Sequence, residues 1–356
     1  MQEVNLNLAT SQVSQGIAAE AVPKTRTGQR RWLWYLMGFI VFAIIVIVVV
    51  VPSVVVTRKK QSSKQQGDQN VSSPVTTNEP TASPPYAHIV SAYANLTRVQ
   101  TYPDMQNKKR VFVIGDIHGC AQEFKELVDQ INYDPEHDQI ILAGDLVYRG
   151  PDNIGVIRYA KQINALCVRG NHDDKVIRLK TYEMKHGSDA MQPEDAVMPE
   201  GDVEDPLKFG DDHTAIARNM TQEDYDYLVS CPLIMHLPNL NNSVIVHGGL
   251  DPKVNPLVNN DPWSVENIRD IKDDVPLRDN DKGHHWTKDW DDVQKNSSNP
   301  LVVYYGHDAS RGLDLGTYTF GIDSGCVRGG KLTALEMKSH TLAQVTCQEY
   351  TANEDS

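Results

Sequence analysis

Three regimes of hydrophobic patterning follow one another along the chain. From Trp32 to Val56 the sequence WLWYLMGFIVFAIIVIVVVVPSVVV carries no charge, and at ~1.5 Å per residue a helix of that length crosses a ~30 Å hydrocarbon core. Trp32, Trp34 and Tyr35 stand where an interfacial belt is expected. Polar sequence precedes the run and Arg58-Lys59-Lys60 follows it, which predicts a retained signal anchor rather than a cleaved leader. Residues 60–86 are rich in Ser, Thr, Gln and Pro with almost nothing to bury, the composition of a stalk reaching roughly 30 Å.

Strand and helix patterns then alternate. A strand at Val111 to Ile114 leads to a helix at 121–131, a strand at 139–143, a helix at 152–163 and a strand at 165–168; that order predicts a layered α/β domain. Further apolar runs at 233–237, 244–247, 301–305, 317–322 and 332–337 are spaced closely enough for mixed or antiparallel pairing. Between the halves, residues 187–212 read as an acidic, solvated loop, with substrate gating as the alternative. Thr221 reads as the N-cap of a helix ending near Ser230. The predicted organisation is an N-terminal cytosolic tail (1–31), a single transmembrane helix (32–56), a lumenal stalk (57–106), the α/β domain (107–348) and a C-terminal tail (349–356).

The 356 residues leave room for one enzyme-sized domain besides these appendages. Residues 1–60 carry about +5, so of the net −13 the remainder holds about −18. Bulk electrostatics of that sign argue against nucleic acid as a partner, and a polyanionic substrate would have to be held by metal ions and local basic groups. Basic residues on the two sides of the apolar run balance, so charge does not orient it. The N-x-S/T sequons at Asn70, Asn95, Asn219, Asn241 and Asn296 all follow the run, which favours a type II protein with a glycosylated, lumenal C-terminal part. Five widely spread cysteines without CxxC spacing predict neither a disulfide framework nor a cysteine zinc finger.

The chemistry sits in six motifs: GDIHG (115–119), GDLVYRGP (144–151), GNHD (170–173), VHGG (246–249), YGH (305–307) and GIDSG (321–325). Several directly follow predicted strands, where open α/β sheets present ligands. A lone Asp-x-His is an ordinary strand end. Five strand ends that offer only Asp116, His118, Asp145, Asn171, His172, His247 and His307 are not a packing pattern. Asp323 reads as a turn residue at the end of the strand after His307, and Trp286 and Trp290 as core residues on one helix face.

These motifs resemble the metallophosphoesterase (calcineurin-like) superfamily over about residues 110–338, in the branch shared by phosphoprotein phosphatases and symmetrical dinucleoside tetraphosphatases. The resemblance implies two mixed sheets flanked by helices. It implies that Asp116, His118 and Asp145 hold one divalent cation, and Asp145, Asn171, His247 and His307 a second, with hydroxide between them attacking phosphorus. Three histidines with few carboxylates suit zinc, manganese, cobalt or iron, with magnesium left open. Arg149 would clamp phosphate, aided by Arg311 and Arg328, and His172 would protonate the leaving oxygen. Phosphoprotein phosphatases carry an Asp where this chain has Tyr148, which leaves the partner of His172 open, with Asp173 nearby in sequence. Arg169, Lys175, Arg178 and Lys331 also flank the motifs, as substrate contacts or as surface charge. GDLVYRGPDN, GNHD and the YGHDAS…GIDSGCVRGGKLTAL tail are most similar to the tetraphosphatase-like group, and with an anchor ahead of them to its fungal vacuolar, zinc-dependent endopolyphosphatases. The expected activity is therefore hydrolysis of phosphoanhydride bonds in inorganic polyphosphate inside a vacuole. The alternatives are a dinucleoside tetraphosphate hydrolase, a serine/threonine phosphoprotein phosphatase, and a membrane glycoprotein that merely keeps the fold.

Overall fold

Strand β2, Val111–Ile114, shows how the chain builds its layers. Val111 and Val113 face one hydrophobic core and Phe112 and Ile114 another, because successive side chains of a strand point to opposite faces. The computed structural model describes residues 96–201 and 203–351. The apolar run 32–56, most of the expected stalk, and the sequons at Asn70 and Asn95 lie outside the described residues. Among the described residues no helix is long and apolar enough to cross a membrane.

The elements run β1 (Val99–Thr101), β2, α1 (Ala121–Gln130), β3 (Gln139–Leu142), α2 (Asn153–Gln162), β4 (Leu166–Cys167), α3 (Asn171–His186), α4 (Asp212–Asn219), α5 (Gln222–Ser230), β5 (Ile234–Leu237) and β6 (Ser243–Ile245). They continue with α6 (Pro262–Asn267), β7 (Asp270–Lys272), β8 (Val275–Leu277), β9 (His284–His285), α7 (Trp286–Gln294), β10 (Val302–Tyr305), β11 (Asp314–Leu315), β12 (Thr319–Gly321), β13 (Lys331–Glu336) and β14 (Leu342–Thr346). One mixed sheet has the order β14-β13-β2-β3-β4 and a second β1-β5-β6-β10-β12-β11. Ile141 of β3 meets Ile245, Tyr304 and Phe320 in the core between the sheets. The outer face of the first sheet is covered through Phe124, Leu127, Val156 and Ile177 of α1, α2 and α3. Trp286 and Trp290 of α7 cover the second beside Val303 and Tyr305, as their helical spacing predicts.

Four sequence expectations change. β1 lies inside the segment read as a linker; Val99 pairs with Ile234, so the folded domain starts before residue 107. At the other end, Tyr350 Oη donates to Glu123 Oε1 at 2.9 Å, which brings part of the expected tail into the fold. β13 joins the first sheet, antiparallel to β2, rather than the later strands. The 187–212 segment is not a solvated loop: Met191, Met198, Leu207 and Phe209 are buried in the helix-side core, and Glu200 accepts from Arg178 Nε at 2.8 Å.

Thr221 caps α5 as expected, accepting from Asp224 N while Asp224 accepts from Thr221 N. Two disulfides, Cys167–Cys231 and Cys326–Cys347, form where wide cysteine spacing predicted no framework, and Cys120 is free and buried.

Candidate metal centre

The ligand side chains arrive from the carboxyl ends of both sheets. Asp116 and His118 follow β2, Asp145 follows β3, Asn171 opens α3 after β4, His247 follows β6 and His307 follows β10. Asp116, His118 and Asp145 present ligand atoms within 4.8 Å of one another, and so do Asp145, His247 and His307; all are buried and Asp145 is common to both groups. Asn171 Oδ1 reaches the second group, 3.0 Å from His247 Nε2.

Backbone carbonyls fix the imidazoles. His118 Nδ1 lies 3.2 Å from Val147 O, His247 Nδ1 2.8 Å from Ala143 O, and His307 Nε2 3.1 Å from Asn267 O. A carbonyl only accepts, so each of those nitrogens carries hydrogen and each ring turns its other nitrogen inward, where it can offer a lone pair to a cation. His247 Nε2 then faces His307 Nδ1 at 3.1 Å and Asp145 Oδ2 at 3.3 Å. His118 Nε2 faces Asp145 Oδ2 at 3.6 Å and Asp116 Oδ2 at 3.8 Å. Imidazole nitrogens and carboxylates that converge in this way are the ligand set of a cation site, with the backbone contacts of a metal-ligand histidine. The residues therefore fit two divalent ions.

The carboxylates are oriented with equal care. Asp145 Oδ1 accepts from His172 N at 2.9 Å, in the first turn of α3, where free N–H groups favour negative charge. Asp116 Oδ1 accepts from His307 N at 3.0 Å. A Cβ on Gly306 would lie 2.1 Å from Asp116 Oδ1, so this approach needs glycine. His118, Asp145, Tyr148, Arg149 and His307 all have positive φ. Backbone strain of this kind gathers at sites that the surrounding structure over-determines.

Electrostatics follow the burial. Burial pushes the His118 imidazole down to about 4 and lowers His307 and His172 as well. Burial also opposes charge on His247, but Asp145 and Asp116 outweigh it and hold it up at about 10. Burial, reinforced by Asp323, raises Asp116. A cation would take the place of these protons, since it needs neutral imidazole and ionised carboxylate.

A cleft of about 360 Å³ opens over these groups, lined by His118, Asp145, Asn171 and His307, with Arg149 and His172 beside them. Arg328 lines it as the sequence predicts, and Asp323 does too while accepting from Gly325 N at 3.0 Å in a turn.

Other expectations are corrected. Arg311 is absent from the lining and is held by Asp308, Asp270 and the Asn280 carbonyl. Asp173 does not orient His172; its carboxylate accepts from Leu146 N, Val147 N and Gly170 N at the start of α3, and burial beside Asp145 pushes it up to about 7. Arg169 and Arg178 pair with buried Asp174 and Lys175 with Asp205, so these three serve internal contacts, while exposed Lys331 donates to Gln344 at the surface. Two cleft arginines carried no sequence signal: Arg269, which donates to His307 O at 2.9 Å, and Arg278. His213, whose Nε2 lies 2.9 Å from His172 Nδ1, stands just past the acidic 187–212 segment and was not singled out from the sequence.

Comparison with known proteins agrees with this geometry. A family profile described as calcineurin-like phosphoesterase matches residues 109–340. A symmetrical bis(5'-nucleosyl)-tetraphosphatase of Coxiella burnetii is 26% identical over 294 residues, covering 69% of this chain and 94% of that protein. One from Nitrosospira multiformis is 27% identical over 295 residues, covering 67% and 96%. A solved protein proposed to be a diadenosine tetraphosphatase superposes with a TM-score of 0.57 at 27% identity, covering 71% of this chain and 99% of that one. Matched through all six motifs, with the fold and the convergent ligand set in place, the chain belongs to the calcineurin-like phosphoesterase family, metal-dependent enzymes that hydrolyse phosphoester and phosphoanhydride bonds.

Proposed function

We propose that this chain hydrolyses the phosphoanhydride bridge of a dinucleoside tetraphosphate. The observation that carries the reading is the cleft itself, where the two cation groups sharing Asp145 adjoin Arg149, Arg269, Arg278 and Arg328. Two divalent ions there would activate water and stabilise the charge that develops on both sides of the phosphorus. The arginines hold the flanking phosphates, which suit a planar guanidinium fork, and His172 is placed to protonate the leaving phosphate. The tetraphosphatases of similar sequence and their solved counterpart support this substrate over the polyphosphate expected from the sequence.

Inorganic polyphosphate is the second reading. Among the described residues lining the cleft are four arginines and no Phe, Tyr or Trp, so the wall offers many phosphate contacts and no ring to stack on a base. Manganese, cobalt, zinc and iron suit the histidine-rich donor set better than calcium. A lumenal, membrane-anchored placement remains part of the proposal. It is supported by the run 32–56, by two disulfides, which persist in oxidising compartments, and by the exposure of Asn219, Asn241 and Asn296.

The deciding experiment gives the full-length protein diadenosine tetraphosphate, long-chain polyphosphate and a phosphoserine peptide in parallel, each with manganese, cobalt, zinc and magnesium. The expected result is fastest release of nucleoside diphosphate from the dinucleotide. Faster cleavage of polyphosphate would replace the first reading by the second, and preference for the phosphopeptide would remove both.

A further inference from the structure

His172 and His213 form a buried pair beside the cleft. His172 lines the cleft from the first turn of α3, whereas His213, in the first turn of α4, does not reach it. Their planes are 7° apart, with His172 Nδ1 2.9 Å from His213 Nε2. Tyr148 covers both, 4.5 Å from the His172 ring at 17° and 3.9 Å from the His213 ring at 14°. Behind them, Asp211 Oδ2 lies 3.6 Å from His213 Nδ1, and the same carboxylate caps α4 by accepting from Thr214 N at 2.9 Å. A carboxylate fixed by a helix start thus faces one imidazole, which faces the next, which faces the cleft.

We propose that His213 is a positioning residue for His172, holding its ring so that Nε2 delivers a proton to the leaving oxygen. With Nδ1 engaged by His213, Nε2 is the ring atom left for substrate. Asp211 favours the His213 tautomer with hydrogen on Nδ1, which leaves His213 Nε2 to accept from His172 Nδ1–H. Tyr148, which stands where related phosphoprotein phosphatases carry a carboxylate, stacks on the pair and keeps the two planes aligned.

The step balances. Water adds its oxygen to phosphorus and loses a proton to solvent. The bond from phosphorus to the leaving oxygen breaks with both electrons on that oxygen, which takes the Nε2 proton of a His172 ring that starts with hydrogen on both nitrogens; the ring is left neutral with Nδ1–H still directed at His213, and solvent returns a proton to Nε2. The inference rests on the hydrolase reading but not on which phosphorylated substrate is natural.

The test compares wild type, His213→Ala and His213→Gln in the full-length, manganese-loaded protein on phenyl phosphate and p-nitrophenyl phosphate. The phenoxide leaving group is the stronger base and needs the proton more. Expected for His213→Ala is a fall in kcat of about 10²-fold on phenyl phosphate and less than about tenfold on p-nitrophenyl phosphate, with KM unchanged. His213→Gln, whose amide can accept in place of Nε2, should recover most of the loss. Equal losses on both substrates, a change confined to KM, or full activity in His213→Ala would overturn the inference. A readout independent of turnover is the nitrogen-15 spectrum of the zinc-loaded protein. A hydrogen-bonded His172 Nδ1 proton should vanish in His213→Ala and persist in His213→Gln, and its absence from wild type would also overturn the inference. Inactivity of wild type on both esters and on diadenosine tetraphosphate would count against the hydrolase reading, while the spectrum still decides the role of His213.

Discussion

His307 Nδ1 and His247 Nε2 face each other at 3.1 Å, although each ring already directs its other nitrogen at a backbone carbonyl. Two such nitrogens need something positive between them, either the proton that Asp145 and Asp116 hold on His247 in the metal-free protein or a cation in its place, and Asp145 Oδ2, 3.3 Å from His247, adds a third ligand atom. The native fold is therefore expected to be stabilised by divalent metal. At metal concentrations about 100-fold above the dissociation constant, linkage gives roughly 2.7 kcal/mol. Thermal unfolding of chelator-treated protein with and without restored manganese measures this. Elemental analysis should find two ions per chain in wild type and one in His307→Ala; two in the variant would place the second ion elsewhere.

Gly306→Ala tests how tightly the ligand shell is packed. The added Cβ would fall 2.1 Å from Asp116 Oδ1, a distance no relaxed structure keeps, so the carboxylate must move. Displacement of a reacting group by about 1 Å costs on the order of 10²-fold in rate. The expected variant is folded by circular dichroism, weaker in metal binding and slower in turnover by about that factor. Wild-type kinetics would show that Asp116 is not under this constraint.

The ligand shell was legible because its chemistry is compressed into strand ends, where an Asp or His with flanking glycine contradicts the apolar pattern just before it. Helix α3 was not. Asp173, Asp174 and Arg178 are buried along it, so charge falls on the face that packing would mark as apolar, and the pairing of Asp174 with Arg169 and Arg178 that permits this is not written in the local sequence. His213 and Arg269 stayed hidden for a related reason, since each acquires its role only by contact with His172 or His307 from a separate element. The 187–212 segment reads as solvent-facing because its buried Met191, Met198, Leu207 and Phe209 are isolated and follow neither strand nor helix periodicity.

Acid stability should depend on Asp138. Its buried carboxylate accepts from Arg110 Nε at 3.1 Å and Asp134 N at 3.1 Å, besides a second contact with the same guanidinium. Burial opposes ionisation here, yet Arg110 and the Asp134 amide together hold the group below the usual carboxylate range. A depressed native pKa means that the unfolded state binds the proton first, so the stabilisation is complete above the unfolded value of ~3.9 and is lost as pH falls through the lower native value. Asp138→Asn should cost about 1.5–3 kcal/mol at pH 7. Denaturant titrations of the two proteins should converge as the medium is acidified below pH 4; a constant gap would assign the loss to packing.

Both disulfides should contribute to stability, the wider loop more. Cys167–Cys231 closes a sequence separation of 64 and Cys326–Cys347 one of 21. Chain-entropy arguments then give about 4 and about 3 kcal/mol. The first bond also ties β4, four residues ahead of Asn171, to the segment entering β5. The paired Cys167→Ser, Cys231→Ser variant should unfold at lower denaturant than the Cys326→Ser, Cys347→Ser variant and bind metal less tightly. Peptide mapping without reductant should recover both bridges and a free Cys120.

The cleft arginines divide by where they act. Arg149 follows Asp145 in the same strained turn, with positive φ at both residues, and in the proposed reaction acts at the reacting phosphate. Arg278 and Arg328 also line the cleft and are exposed to solvent, a placement suited to the phosphates that do not react. Contacts to a group that is unchanged during reaction bind ground state and transition state equally, so their loss raises KM and leaves kcat alone. Arg278→Ala and Arg328→Ala should each raise KM for diadenosine tetraphosphate about tenfold, corresponding to ~1.4 kcal/mol, with little effect on p-nitrophenyl phosphate, which has no second phosphate. Arg149→Ala should instead lower kcat on both substrates. Equal penalties for all three variants on the monoester would mean that the outer arginines only shape the field of the site, and the assignment of flanking phosphates to them would fall.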